Sequence, residues 1–143
     1  MVLFERRGCA SKRRRTMPLI RISLRRGRPA SEPAAIIDGV YKALRETFEV
    51  PENDLFALVH QHDAGEFVFD ANYFGFDRSA GLVIIQITVA NTRGVTQKKK
   101  LYAAIAGNLM RDPGLRPDDI FINLVEVKRE DWSFGGGIAQ YVA

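Results

Sequence analysis

Three residues of complementary chemistry, Pro18, Asp54 and Arg93, stand near the ends of predicted strands. A secondary amine can carry a proton near neutral pH, and a carboxylate can orient that amine or a water molecule. A guanidinium fork is suited to holding a carboxylate. If the fold brings the three together, they could carry out proton transfer on a small carboxylic acid.

The chemistry of Pro18 depends on what precedes it. The nitrogen of an internal proline is an amide without basicity, whereas an α-amino group titrates at about 7.7–8.0 and lower in apolar surroundings. Residues 1–16 hold six of the 21 basic residues and one of the 17 acidic residues, which leaves 15 and 16 in the rest of the chain. We therefore expect 1–16 to be a basic leader outside the mature fold, and Met17 to be the working initiator.

The elements that must position these residues occur twice. The halves at about 18–59 and 82–125 each contain a strand, a helix and a closing strand, and the closing stretches "VPENDLFALV" and "RPDDIFINLV" share one pattern. Such units form right-handed crossovers with parallel strands. We predict an α/β (α+β) fold, a tandem β-α-β repeat with a four-stranded mixed sheet and two helices on one face. The predicted strands are 19–24, 82–89 and parts of 50–59 and 116–125, and the helices are 31–48 and about 95–110.

Local signals set the limits of these elements. Ser31 is the predicted N-cap of the first helix, and Pro51 prevents its continuation. Asp112-Pro113-Gly114 ends the second helix. We also expect a short strand at 66–69 and a C-terminal hairpin at 131–141, with its turn at the three glycines 135–137.

This topology predicts where the chemical groups meet. Parallel strands start at the same end of a sheet, so Pro18 and Asp54 should lie at one end. If the two units are related by a pseudo-twofold axis, their first strands are antiparallel, and Arg93 returns to that end as well.

Each residue also has a structural interpretation. Pro18 could simply open a strand, Asp54 could cap a turn like its repeat counterpart Asp119, and Arg93 could be a solvated loop residue. His60 and His62 share a strand face, but no further His or Cys lies nearby, so we expect no metal site. The Lys12–Arg15 run is interpreted as a solvated tail and not as a nucleic-acid site, because the domain adds no basic face.

Composition limits the class of protein. A chain of 143 residues with 46% hydrophobic residues is long enough for one domain with a genuine core. It has no apolar run long enough to cross a membrane and no secretory signal. A lone cysteine, Cys9, excludes an intrachain disulfide. We therefore expect a cytoplasmic protein.

The chain from residue 17 to 143 resembles the tautomerase superfamily, and within it the malonate semialdehyde decarboxylase group. The resemblance rests on an ordered set of segments: "MPLIRISLRRGR", "VPENDLF", "HQHDAGE", "FDRSAGLVIIQIT", "RGVTQKKKLYAAIA" and "EDWSFGGGIAQY". It implies a homotrimer, no cofactor, Pro18 as the catalytic amine after loss of the initiator Met, Asp54 as the carboxylate beside it and Arg93 as the clamp for the substrate carboxylate. It also implies that Trp132, Phe134 and Tyr141 form the apolar wall near the amine. The decarboxylase group has a second arginine where this chain has Asn91.

Two classes of function follow. The first is an enzyme in which neutral Pro18 acts as general base in keto–enol tautomerisation of a small 2-oxo, enol or 3-oxo acid. In an alternative form of it, protonated Pro18 acts as general acid in decarboxylation or hydration. The second is a non-enzymatic module that binds a small acid while the nitrogen of Pro18 stays an inert amide.

Overall fold

The structure is a computed structural model that describes residues 18–142. The predicted leader and Met17 lie outside these residues. The main elements are β1 (Leu19–Arg25), α1 (Ser31–Phe48), β2 (Phe56–His62), β3 (Val83–Ala90), α2 (Val95–Arg111) and β4 (Ile120–Val127). Each predicted helix and main strand is present, with bounds within a few residues of those expected.

The sheet is mixed, with strand order β2-β1-β3-β4. β1 pairs in parallel with β2, β3 pairs in parallel with β4, and the two units meet through the antiparallel pair of β1 and β3. The predicted tandem repeat is therefore confirmed, and the opening strands of its two units run in opposite directions.

Both helices cover one face of this sheet. Side chains from β1 and β3 enter a single core cluster with the apolar faces of α1 and α2. Burying each of these large aliphatic side chains contributes about 1.5–3 kcal/mol. The fully buried members include Ile20, Ile22, Leu24, Ile36, Val40, Leu44, Ile85, Ile87, Leu101, Ile105 and Leu109.

Three local expectations were wrong. Ser31 is the first helical residue and not the N-cap, which is Ala30 without a side-chain capping bond. The stretch 66–69 forms no strand, because Glu66 ends a turn of 3₁₀-helix at Ala64–Glu66 and residues 67–69 pair with none of the strands in the part of the chain that the structure describes. The segment 131–141 folds back through its glycines but forms no β-hairpin, because the amide side chain of Gln140 bonds the backbone at Phe134 and Gly135 in place of a ladder.

Candidate active site

One end of the sheet, where β1 and β2 begin and β3 and β4 finish, is called the proline end below. Leu19 lies opposite Phe56 of β2 and opposite Thr88 of β3. Pro18 directly precedes β1, Asp54 comes two residues before β2, and Arg93 comes three residues after β3. The topology therefore brings all three residues to the proline end, where Pro18 is buried.

Arg93 is anchored to the C-terminal end of α1. Its Nη2 donates to the carbonyl oxygen of Phe48 at 2.8 Å, and its guanidinium carbon lies 4.7 Å from the centre of the Phe48 ring. Burial lowers the pKa of Arg93, and the nearby carboxylate of Glu49 acts in the opposite direction. The side chain remains a cation, since an arginine pKa starts far above neutrality. A guanidinium that has lost part of its water gains more from an anionic ligand than a fully hydrated one.

Asp54 follows a turn that is held by a tyrosine of α1. The hydroxyl of Tyr41 donates to the carbonyl oxygen of Pro51 at 2.9 Å, and the backbone N–H of Asp54 points to the same hydroxyl at 3.4 Å. Asn53, between them, has a φ of 66°, a left-handed conformation that asparagine tolerates better than most residues. The hydroxyl thus lies between the two backbone groups that a closed β-turn would join.

The repeat counterpart of Asp54 has a structural role. Asp119 is buried and accepts hydrogen bonds from the backbone N–H and the hydroxyl of Ser79, at 2.8 and 2.6 Å. It also pairs with Arg116 at 3.4 Å. Asp119 precedes β4, so it lies at the opposite end of the sheet from Pro18 and ties the loop before β3 to the start of β4.

The aromatic residues of the C-terminal segment contact one another. The rings of Trp132 and Phe134 stack with centroids 5.4 Å apart, and the ring of Tyr141 meets Phe134 edge-on at 4.9 Å. The guanidinium of Arg129 lies 5.1 Å from the centre of the Tyr141 ring. The cluster follows β4, which finishes at the proline end, while its contact with a substrate stays a prediction.

The two histidines lie on the sheet face opposite the helices. His60 is opposite Ser23 and His62 is opposite Arg25, and the ring of His62 is 5.8 Å from that of Phe67. Across residues 18–142, no group of three or more His, Cys, Asp or Glu side chains is placed to hold a metal ion. In that same range, neither helix is both long and apolar enough to cross a membrane.

Sequence reasoning did not single out Tyr41 or Phe48 as parts of the site. Phe48 is the last residue of the predicted first helix, and its backbone carbonyl carries no sequence signal. Tyr41 did carry one, because a tyrosine on the inner side of an amphipathic helix needs a hydrogen-bond partner for its hydroxyl.

The chain matches two family models that are both described as tautomerase enzyme, one over residues 54–135 and the other over residues 18–77. The chain belongs to the tautomerase family. Its match to the probable tautomerase YusQ of Bacillus subtilis (strain 168) has 36% identity over 126 residues, which cover 88% of this chain and 99% of the relative.

Solved structures agree with this assignment. A crystal structure of malonate semialdehyde decarboxylase, described in terms of its decarboxylase and hydratase activities, is 35% identical with a TM-score of 0.79, and the match covers 86% of this chain and 95% of that one. A symmetric trimer of fused 4-OT shares the fold at 16% identity and a TM-score of 0.70, over 86% of this chain and 97% of that one. The resemblance seen in the sequence is therefore confirmed at the level of the superfamily and of the decarboxylase group.

Proposed function

We propose that the protein is an enzyme whose catalytic group is the secondary amine of Pro18, exposed as an N-terminus once residues 1–17 are absent. In this function neutral Pro18 removes a proton next to the carbonyl of a small 2-oxo, enol or 3-oxo carboxylic acid and returns it to complete keto–enol tautomerisation. The observation that carries the proposal is the convergence of Pro18, the Asp54 turn and the half-buried Arg93 at the proline end.

The proposed chain start has independent support. One family model begins at residue 18, and almost the full length of the probable tautomerase YusQ aligns with 126 residues of this chain. The change in charge composition falls at the same place. Pro18 is buried where β1 begins, and burial in general disfavours the charged form of an amine.

Arg93 is the proposed clamp for the substrate carboxylate. One N–H of its Nη2 donates to the carbonyl oxygen of Phe48, and a guanidinium carries five N–H donors in all. The contact with Phe48 therefore uses only part of the donor capacity that could bind a ligand. Binding a carboxylate there would also draw negative charge off the enolate oxygen as it develops.

A second candidate is decarboxylation or hydration, with protonated Pro18 as general acid and Asp54 activating water or stabilising the ammonium. The specific observation in its favour is the 35% identity and close structural similarity to malonate semialdehyde decarboxylase. Asn91, which stands where that group has a second arginine, distinguishes this chain. It leaves Arg93 as the proposed guanidinium clamp.

The deciding experiment compares two proteins that differ by one residue. The first starts at Met17, so that Pro18 becomes N-terminal, and the second carries one alanine inserted between Met17 and Pro18. Both are assayed with phenylenolpyruvate, malonate semialdehyde and a propynoate-type acid. We expect activity only in the first, because the insertion converts the amine of Pro18 into an amide.

Equal rates in the two proteins would exclude Pro18 as acid or base, and the proposed enzyme function would fall with it. If neither protein is active and both bind small acids, the result favours the binding-module alternative. Which substrate is turned over decides between tautomerisation and the decarboxylase-type reactions.

We also propose that the protein works as a homotrimer. The sheet face opposite the helices exposes large apolar side chains, Phe56, Leu58, Phe121 and Val125, which are 40–57% exposed in the single chain. Antiparallel and mixed sheets with an apolar second face are normally covered by another layer. The trimeric fused 4-OT has the same fold, which is consistent with three copies covering these faces.

A further inference from the structure

We infer that Tyr41 is a positioning residue, whose hydroxyl sets the location of Asp54 relative to the amine of Pro18. The inference deepens the proposed function and rests on it for the role of Asp54. It is carried by the hydrogen bonds of one hydroxyl group at the proline end.

The hydroxyl of Tyr41 bridges the turn that leads into β2. It donates to the carbonyl oxygen of Pro51 at 2.9 Å and accepts from the N–H of Asp54 at 3.4 Å. A hydroxyl has one hydrogen to donate and lone pairs that accept, so it can serve both groups at once. It therefore sets the spacing between the first and last residues of the turn.

Tyr41 is itself held firmly. It is half-buried, lies on α1 two turns before Phe48, and packs against the core cluster. The guanidinium of Arg45 lies 5.9 Å from the centre of its ring. A side chain fixed in this way transmits the position of the helix to the turn, and through the turn to Asp54.

Two other features of the turn lie at its exposed side. Asn53 occupies a left-handed conformation, and Glu52, whose carboxylate pairs with Arg45 at 3.3 Å, is exposed. An exposed ion pair contributes little. The bonds of the Tyr41 hydroxyl, by contrast, are partly buried and join the first and last residues of the turn.

Tyr41 should act on Asp54 and not on Arg93. Arg93 is anchored by the carbonyl and the ring of Phe48, and the neighbouring carbonyl of Thr47 accepts a bond from the side chain of Gln97 at 2.9 Å. None of these contacts involves the tyrosine hydroxyl. Loss of the hydroxyl should therefore affect turnover and leave carboxylate capture unchanged.

The test is Tyr41→Phe, which removes one oxygen and keeps the ring, in the protein as its own gene yields it. For the reaction in which Asp54→Asn lowers kcat, we expect Tyr41→Phe to lower kcat about ten- to a hundredfold, because small misplacements of a reacting group are costly. KM should stay within about twofold. The matched control is Tyr102→Phe, the same change on a half-buried tyrosine of α2, and it should leave both constants unchanged.

The double variant decides whether the effect passes through Asp54. In the Asp54→Asn background Tyr41→Phe should add almost nothing, whereas two independent effects would multiply. The inference is overturned if the losses of kcat in the two single variants multiply in the double variant. It is also overturned if Asp54→Asn lowers kcat and Tyr41→Phe does not. An Asp54→Asn protein with full activity in every assay instead overturns the proposed role of Asp54.

Amide hydrogen exchange tests the positioning without any substrate. The N–H of Asp54 should exchange at least about tenfold faster in Tyr41→Phe than in Tyr102→Phe, because it loses its acceptor. An unchanged exchange rate in a folded variant contradicts the inference whatever the kinetics show.

Discussion

Two contacts with Phe48 orient the side chain of Arg93 for binding a carboxylate. The carbonyl of Phe48 and the ring beneath the guanidinium hold the side chain in place, and burial lowers its pKa from the ordinary value. The carboxylate of the exposed residue Glu49 acts on it electrostatically in the opposite direction. A fork that is already oriented loses less conformational entropy when it binds a planar carboxylate, so the residue is suited to capture and less to proton transfer.

Arg93→Ala should raise KM for a carboxylate substrate about ten- to a hundredfold, since a hydrogen bond to a charged group is worth about 1.5–3 kcal/mol. Steady-state kinetics measures this. Arg93→Lys keeps the charge without the fork, so its KM should lie between that of the unaltered protein and that of Arg93→Ala. Arg111→Ala, which removes an arginine at the far end of α2, is the matched control. An unchanged KM in Arg93→Ala would show that the substrate carboxylate binds elsewhere.

Asp54→Asn should separate the two candidate chemistries. If water must be activated or an ammonium stabilised, the loss falls on kcat in decarboxylation or hydration, because the amide cannot take a proton or balance the charge. Simple tautomerisation needs neither, so the effect there should be mild. Asp119→Asn is unsuitable as a control, because Asp119 is buried and holds Ser79. A similar loss of kcat in all three assays would contradict this division of roles.

The two β-α-β units share one topology but differ in the residues that they place at the ends of the sheet. At the proline end the first unit presents Pro18 and the Asp54 turn. At the opposite end the second unit has Leu82 before β3 and uses Asp119 to fasten a loop. The closing turn of each unit therefore carries an aspartate, but the two are held by different partners.

The helices of the two units meet at a close contact. A Cβ on Gly39 of α1 would lie 2.8 Å from Cδ2 of Leu109, and the side-chain amide of Asn108 donates to the Gly39 carbonyl at 2.9 Å. Leu109 is fully buried and cannot easily move aside. The absence of a side chain at residue 39 therefore sets how closely α1 and α2 pack.

Gly39→Ala should lower the free energy of unfolding by about 1–3 kcal/mol, because overpacking exceeds the gain in helix propensity. Gly107→Ala is the matched control on α2, where a Cβ meets no atom within 4 Å. That change should raise the free energy of unfolding by about 0.5–1 kcal/mol. Urea unfolding of both variants measures the difference, and the same sign for both would contradict the packing argument.

At the scale of the whole molecule, the single chain leaves one face of the sheet uncovered by helices. The helices cover one face of the sheet, while the other face and the cluster of Trp132, Phe134 and Tyr141 retain apolar surface. The exposed ring of Phe76 lies beside that surface, because the guanidinium of Arg78 is 5.1 Å from the Phe76 ring and 6.0 Å from the Phe121 ring. This exposed apolar surface supports the proposed homotrimer.

Sedimentation should find a trimer at micromolar concentration, with the 131–141 segment covering a neighbouring sheet edge. Trp132→Ala should weaken assembly, activity or both, because it removes a large stacked ring. Met110→Ala removes an exposed apolar side chain from α2 and should change neither. A stable monomer of the unaltered protein would contradict the proposal.

N-terminal sequencing of active protein made from its own gene should read PLIRIS. The expectation follows from the start of β1 directly after Pro18 and from the change in charge composition before it. A native, active protein that begins at Met1 or Val2 would contradict it.

The sequence by itself determined the repeat, the element order and the end of the sheet at which Pro18, Asp54 and Arg93 lie. Those features depend on hydrophobic periodicity and on helix-stopping residues such as Pro51 and Pro113, which act locally. It did not reveal the contacts of the site, and it predicted a strand at 66–69 and a hairpin at 131–141 that do not form. In the 131–141 segment the side chain of Gln140 bonds the backbone, and that competition leaves no mark on periodicity. Only the tertiary structure placed the Phe48 carbonyl on Arg93 and the Tyr41 hydroxyl in the Asp54 turn, because both contacts join groups whose meeting depends on how α1 packs against its neighbours.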